Sequence, residues 1–233
     1  AYYNRGKAKE NLENYRGALA DYTKAIEIAP KDAEAFGDRG IMKYYLTDYN
    51  GALADYTKAI ELNPNYADAY VNRGNAKSDL EDYYGAIADF NKAIEIDPNK
   101  TDAYSNRGGT KNDLKDYNGA IADLNKAIEL NPDNATAYVN RGNAKKGLKN
   151  YTDALSDYNQ ALKLNPYDAI AYFNKGLLKI ELEDYESAIL DFTKAIELNS
   201  EDAASYFSRG ILKYLLSDLT GACADWKYAE NLG

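Results

Sequence analysis

The sequence contains no histidine, and cysteine, methionine, tryptophan and proline are rare in it. Its 233 residues include one cysteine, one methionine, one tryptophan and five prolines. Without histidine there is no imidazole to bind a metal ion or to act as a general base. The single cysteine, Cys223, has no partner for an internal disulfide, and we expect it to be a small packed residue. These absences predict a protein that is not an enzyme and that uses no metal or other cofactor.

Long apolar runs and an excess of positive charge are also missing. Aspartate and glutamate, 37 in all, outnumber the 28 lysines and arginines, and the formal net charge is −9. This charge opposes binding to nucleic-acid phosphates and to anionic bilayers. No apolar run approaches the roughly 18 to 20 residues of a spanning helix. We therefore expect neither a nucleic-acid nor a membrane partner.

The sequence does contain a unit of 34 residues that recurs along the whole chain. The prolines stand at positions 30, 64, 98, 132 and 166, and the segment 1–6, Ala-Tyr-Tyr-Asn-Arg-Gly, returns in similar form at every step. Such a period is typical of repeat proteins. The chain has no initiator methionine and starts partway through a repeat, so we expect it to be a piece of a longer protein, of open cellular compartment. The pattern predicts a single array with repeats at approximately 1–32, 33–66, 67–100, 101–134, 135–168, 169–202 and 203–233.

Each repeat contains two helical patterns separated by a short break. In the second copy, small and apolar residues lie three or four apart over 35–46 and again over 52–62. Asp48 is suited to cap the second helix, and Pro64 prevents that helix from continuing. Each repeat is therefore predicted to be a helix-turn-helix hairpin.

A glycine recurs inside every first helix, where it costs about 1 kcal/mol relative to alanine. Gly40 is the example in the second copy, and its recurrence implies close approach of the paired helix. We expect the alanine column that includes Ala52 to lie opposite the glycines. Large residues, such as Tyr56 in the second helix, fill the space between these small ones.

These motifs resemble the tetratricopeptide repeat (TPR) family over the entire chain. The aromatic-x-x-x-Gly start, the Ala-x-x-x-aromatic-x-x-Ala second helix, the closing proline and the period all match. The resemblance implies an all-α solenoid, a right-handed superhelix of stacked antiparallel helix pairs whose first helices line the concave side. It also implies a scaffold for protein–protein interaction. One departure is a lysine, such as Lys43, where the family usually has an aromatic residue late in the first helix.

Three charged columns also run through the repeats. In the third copy they are represented by Arg73, Lys77 and Asp89. We expect each aspartate to lie between cations of its own or the following hairpin, where it sets the register of stacked hairpins. A charged site for a ligand is the alternative.

An asparagine column on the first helices is the first candidate for a peptide-binding surface. An asparagine side chain carries donors and an acceptor in one plane, so it can bind a peptide N–H and C=O together. Some TPR superhelices hold peptide main chain with similar asparagines. The alternative is that these side chains bridge neighbouring first helices. The predicted main-chain contacts are Asn72, Asn106, Asn140 and Asn174, with Asn75 and Asn143 extending the polar face.

The two C-terminal repeats place apolar side chains on the same face. Exposed apolar clusters of this size usually mark an interface. The cluster would anchor apolar peptide side chains, seat a downstream helix or mediate self-association. Assembly into homo-oligomers through this apolar groove and the uncapped ends is therefore the alternative function. The cluster contains Phe173, Leu177, Phe207, Ile211 and Tyr214, and the column of Phe173 and Phe207 continues into the inner repeats as Val71 and Val139.

The charges of the groove indicate the class of peptide. A carboxylate clamp of the TPR type needs lysine or arginine where this sequence has residues such as Asn75 and Asn106. Acids occur on the same side at Glu34, Asp68 and Asp102. The predicted partner is therefore a protein or peptide with a neutral or basic extended segment.

Overall fold

The computed structural model describes all residues 1–233 and consists of fourteen α-helices. None of them has the length and apolar character that crossing a membrane would require. Odd-numbered helices are the first helices of the repeats and even-numbered helices the second. They are α1 (Tyr2–Glu10), α2 (Tyr15–Ile28), α3 (Ala33–Tyr45), α4 (Tyr49–Leu62), α5 (Ala67–Asp79), α6 (Tyr83–Ile96), α7 (Thr101–Asp113), α8 (Tyr117–Leu130), α9 (Ala135–Gly147), α10 (Tyr151–Leu164), α11 (Ala169–Glu181), α12 (Tyr185–Leu198), α13 (Ala203–Leu215) and α14 (Leu219–Leu232).

The helices form two compact units, unit 1 (Ala1–Leu114) and unit 2 (Lys115–Gly233). In unit 1 the hairpins α1–α2, α3–α4 and α5–α6 stack in order, and α7 packs on α6. In unit 2 α8 packs on α9, and the hairpins α9–α10, α11–α12 and α13–α14 stack in the same way. The all-α hairpin prediction is confirmed. The single array remains a prediction, because the boundary between the units falls inside the fourth repeat.

The turn inside each repeat is built as the sequence predicts. The Asp48 carboxylate accepts a hydrogen bond from the backbone N–H of Gly51 at 2.9 Å and so caps α4. The residue before the cap, Thr47, has a left-handed backbone with φ of 62°. This geometry brings the second helix back along the first. The equivalent caps are Asn14, Asp82, Asp116, Asn150, Asp184 and Asp218.

The glycine column allows the close approach that was predicted, although its neighbour is different. A Cβ atom at Gly40 would lie 2.6 Å from Cε1 of Tyr56, and one at Gly142 would lie 2.7 Å from Cε1 of Tyr158. The predicted opposition of glycine and alanine columns is therefore wrong. The aromatic ring of the second helix occupies the space that a side chain at the glycine would fill.

Each resolved ionic triad joins one aspartate to two cations of its own hairpin. Asp157, only 4% exposed, accepts from Nε and Nη2 of Arg141 at 3.0 and 2.6 Å and pairs with Nζ of Lys145 at 2.7 Å. The lysine that replaces the family's aromatic residue thus completes the triad. Similar triads contain Asp21, Asp55, Asp89, Asp191 and Asp225.

The arginine of the triad also reaches the preceding hairpin. Nη1 of Arg141 donates to Oδ1 of Asn125 at 2.7 Å, and Nη1 of Arg209 donates to Oγ1 of Thr193 at 3.0 Å. Burial alone would raise the pKa of the Asp225 carboxyl, but hydrogen bonds from Arg209 and Lys213 outweigh it and hold that pKa below its ordinary value. The triads therefore have the predicted structural role, and the arginines carry it between hairpins.

Candidate functional site

The asparagines of unit 1 divide into a bonded pair and a free side chain. Nδ2 of Asn106 donates to Oδ1 of Asn75 at 2.8 Å, which links α7 to α5. Lys7 and Asp38 make the equivalent contact between α1 and α3 at 2.9 Å. Asn72 is half-buried and has no hydrogen-bonding partner for its side chain in the protein. The helix-bridging interpretation therefore holds for Asn75 and Asn106, and main-chain binding remains a prediction for Asn72.

Unit 2 shows a similar division. Oδ1 of Asn143 accepts a hydrogen bond from the Tyr158 hydroxyl at 2.7 Å, within one hairpin. Asn140 is half-buried on α9, and Asn174 is half-buried on α11. The Asn174 amide has no hydrogen-bonding partner in the protein. Asn174 is thus the counterpart of Asn72, with an amide that remains available to a ligand.

The column between the asparagines and the next turn does not line an open surface in the inner repeats. Val71 and Val139 are both 5% exposed, and Ser105 is also buried. Contacts between neighbouring first helices, α5 with α7 and α9 with α11, cover these positions. The interpretation of this column as groove lining is therefore wrong for Val71 and Val139.

A cavity of about 190 Å³ opens beside Asn72, and we call it the tyrosine pocket. The rings of Tyr44 and Tyr45 form an edge-to-face pair with centroids 6.2 Å apart, and Tyr45 stacks on Tyr15 at 4.8 Å. The Tyr44 hydroxyl donates to the Asp79 carboxylate. The lining residues are Ile41, Tyr44, Tyr45, Tyr56, Asn72 and Asn75.

The hydroxyl of Tyr56 is the unusual group in this pocket. Tyr56 is 1% exposed, and its hydroxyl has no hydrogen-bonding partner in the protein. The equivalent hydroxyls are satisfied, since Tyr22 donates to Glu10 at 2.5 Å and Tyr158 donates to Asn143. Burial raises the pKa of the Tyr56 hydroxyl. The pocket thus contains a neutral O–H group that no residue of the chain satisfies.

A second cavity, of about 270 Å³, lies in unit 2, and we call it the lysine pocket. Burial lowers the pKa of the Lys146 ammonium group, which forms no ion pair. The Tyr151 hydroxyl donates to Glu181 at 3.3 Å. This cavity is cationic on one side, in contrast to the tyrosine pocket. Its lining consists of Tyr117, Asn143, Lys146, Gly147, Lys149, Tyr151 and Glu181.

The sequence reasoning missed Tyr56 and Lys146 as site residues. Lys146 stands three residues after Asn143, on the same helical face, and this spacing was a usable signal. The free hydroxyl of Tyr56 was also visible in the repeat pattern. Its second copy has Ile41 where the fifth has Asn143, and Tyr44 where the first has Glu10.

The apolar cluster of the last two repeats is split between a packed and an open part. Phe173 contacts Phe192 edge-to-face, with centroids 5.6 Å apart, and Leu177 packs in the same cluster. Phe207 is 55% exposed, and Ile211 and Tyr214 are exposed beside it on α13. We call Phe207, Ile211, Tyr214 and Leu215 the α13 face.

Helix α14 departs from the repeat on its outer side. Cys223 is exposed, so its prediction as a packed residue is wrong, because no further hairpin covers it here. Lys227 stands 34 residues after Thr193, at the position that accepts from the arginine of the next hairpin. Glu230 stands where the preceding copy has the buried Ile196. These polar residues flank the α13 face.

The comparisons with known proteins agree with this geometry. The tetratricopeptide repeat profile matches residues 1–32, 67–100, 135–168 and 169–202, and a TPR repeat profile matches 40–81 and 111–149. Comparison with curated protein sequences gives no significant match.

Several solved structures are similar. A tetratricopeptide repeat protein from Parabacteroides merdae is 21% identical with a TM-score of 0.80, over 100% of this chain and 92% of that one. YrrB, described as a TPR protein with an unusual peptide-binding site, is 28% identical with a TM-score of 0.58, over 79% and 95%. A chain of the APC/C hetero-tetramer Cut9-Hcn1 is 15% identical with a TM-score of 0.84, over 93% and 46%. With the repeat profiles matching most of its length, the chain belongs to the tetratricopeptide repeat family.

Proposed function

We propose that this protein is a non-catalytic scaffold that binds an extended peptide along its first helices. The observation that carries the proposal is the pair of half-buried amides without a partner, Asn72 in unit 1 and Asn174 in unit 2. A buried polar group normally has a hydrogen-bonding partner. A peptide main chain supplies both the donor and the acceptor that such an amide needs. The similarity to YrrB, which is described as having a peptide-binding site, supports this function.

A neutral or basic peptide suits unit 1 best. Asp79 stands at the tyrosine pocket through its contact with Tyr44, and no lysine or arginine lines that pocket. Asp102 on α7 is exposed. A peptide that carries positive charge is attracted to this surface, and an acidic one is repelled.

Titration of a selected peptide tests the role of the free asparagines. A binder is selected from a random peptide library and its affinity is measured by calorimetry with the unchanged protein. We expect Asn72→Ala or Asn174→Ala to weaken binding by about tenfold, because a two-point amide contact is lost. Asn50→Ala, at an exposed position of α4, is the matched control and leaves the affinity unchanged. Full affinity in both the Asn72 and Asn174 variants contradicts the proposal.

The open α13 face supports a second candidate function, self-association. It joins exposed apolar side chains to Lys227 and Glu230, whose opposite charges can pair across a two-fold axis. A head-to-tail stack in the repeat register would instead bring Arg5 of one copy to Lys227 of another. Like charges oppose that arrangement. The assembly supported by the residues is therefore a two-fold dimer through α13 and α14.

Light scattering at increasing concentration tests this second function. A dimer gives twice the mass of the 25.9 kDa chain, and no larger species accumulates. We expect Phe207→Ser combined with Ile211→Ser to return the protein to the monomer, because both side chains leave the apolar interface. Leu12→Ser, at an exposed apolar residue in the turn of the first repeat, serves as the control. A protein that stays monomeric at all concentrations excludes this function.

A further inference from the structure

We infer that the tyrosine pocket of unit 1 receives the guanidinium group of an arginine side chain from the bound peptide. The inference rests on the proposed peptide-binding function and adds the identity of one recognised side chain. It depends on three properties of the pocket, which are its unsatisfied polar groups, its aromatic walls and its charge.

The unsatisfied groups are acceptors that suit a multiple donor. Tyr56 and Asn72 both line the cavity, and neither side chain has a partner in the protein. A buried group left without a hydrogen bond costs about 1 to 3 kcal/mol. The hydroxyl oxygen of Tyr56 and Oδ1 of Asn72 can accept two N–H bonds from one planar group. A guanidinium carries five donors in a plane and no acceptor.

The walls of the pocket suit a cation that is also flat. Tyr44 and Tyr45 present an edge-to-face corner, and Tyr45 is held in place by its stacking on Tyr15. A guanidinium packs over aromatic faces through cation–π attraction. The chain already uses this contact internally, since the guanidinium carbon of Arg73 lies 5.5 Å from the centroid of Tyr70.

The charge around the pocket distinguishes it from the lysine pocket of unit 2. Asp79 supplies a carboxylate next to the Tyr44 ring, and no cation lines the cavity. The lysine pocket contains Lys146 and Lys149, which repel a second cation. The cavity of about 190 Å³ is smaller than a drug-sized ligand site, and its size suits a single side chain. Unit 1 therefore selects arginine, and unit 2 does not.

Nuclear magnetic resonance with N-acetylarginine amide as the probe tests the inference in the whole chain. N-acetylcitrulline amide, which is neutral and of nearly the same shape, and N-acetyllysine amide are the comparison probes. We expect the arginine probe to shift the ring signals of Tyr44, Tyr45 and Tyr56, with an affinity at least tenfold above that of citrulline. Equal binding of citrulline, or binding of lysine as tight as arginine, overturns the assignment.

The variant Tyr56→Phe separates binding from folding. Phenylalanine is compatible with this position, because Phe90 and Phe192 occupy it in other repeats. We expect the variant to weaken the arginine probe by about threefold to tenfold, the effect of one lost hydrogen bond. Tyr158→Phe, the matched change in unit 2, leaves the probe's affinity unchanged. Unchanged affinity in Tyr56→Phe overturns the inference.

A selected peptide distinguishes this inference from the proposed function. If the library binder loses affinity in Asn72→Ala but is unaffected by replacing its arginines with citrulline, peptide binding stands and the arginine pocket is excluded. If no peptide binds, the proposed function fails first, and the inference fails with it.

Discussion

Replacing Asp157 with alanine is expected to lower the free energy of unfolding by about 3 kcal/mol. The substitution leaves Arg141 and Lys145 largely buried without their shared anion, and removing one partner of a buried pair costs about 3 to 5 kcal/mol. Residual access of water to the two cations places the effect at the lower end of this range. Urea denaturation followed by circular dichroism measures the change.

An exposed ion pair of the same unit provides the control. Glu197 pairs with Lys194 on the surface of α12 at 2.8 Å, and such pairs contribute less than about 1 kcal/mol. Glu197→Ala should therefore have little effect on the urea midpoint. A loss for Asp157→Ala that is no greater than for Glu197→Ala shows that the triads do not stabilise the hairpins.

The substitution Phe192→Ala is expected to have an effect of similar or larger size, about 3 to 5 kcal/mol. Its ring is fully buried, lies against Gly176 and supports the edge-to-face contact with Phe173. Truncation removes these contacts and leaves a cavity. The loss is read from the denaturation midpoint, and the Phe173 ring should gain mobility because its support is gone.

Phe207→Ala is the matched control for this prediction. Phe207 stands 34 residues after Phe173, at the same place in the repeat, but it is largely exposed. Its truncation should change stability by less than about 1 kcal/mol. A large loss in Phe207→Ala would mean that the α13 face is covered in solution, which favours the dimer.

The hairpins, their caps and the glycine contacts could be predicted from the sequence because each depends on spacing within one repeat. Asp48 caps α4 three residues from its bonding partner, and Gly40 meets a ring of its own hairpin. The triads follow the same rule, since Asp157 takes both cations from its own repeat. Local geometry of this kind is fixed by helix periodicity.

The surface between repeats was harder to predict, because it depends on how tightly neighbouring first helices approach. Val71 and Val139 seemed to face a groove from periodicity alone, and the adjacent helix buries them. Asn106 has the same position as Asn72 in its repeat, but only Asn106 finds a partner, because Asn75 in the preceding repeat supplies a carbonyl oxygen. Ile41 occupies the place of Asn75 one repeat earlier and offers none.

The pairing of arginine with the preceding hairpin makes the repeats interchangeable. Each inner hairpin neutralises its own charges and offers its neighbours one standard donor, such as Arg141, and one standard acceptor, such as Thr193. A stretch of 34 codons duplicated or deleted between any two such hairpins would leave matching connectors on both sides. Side chains such as Asn72 and Tyr45 lie outside these connectors. Array length and ligand preference can therefore diverge independently among descendants of one ancestral hairpin.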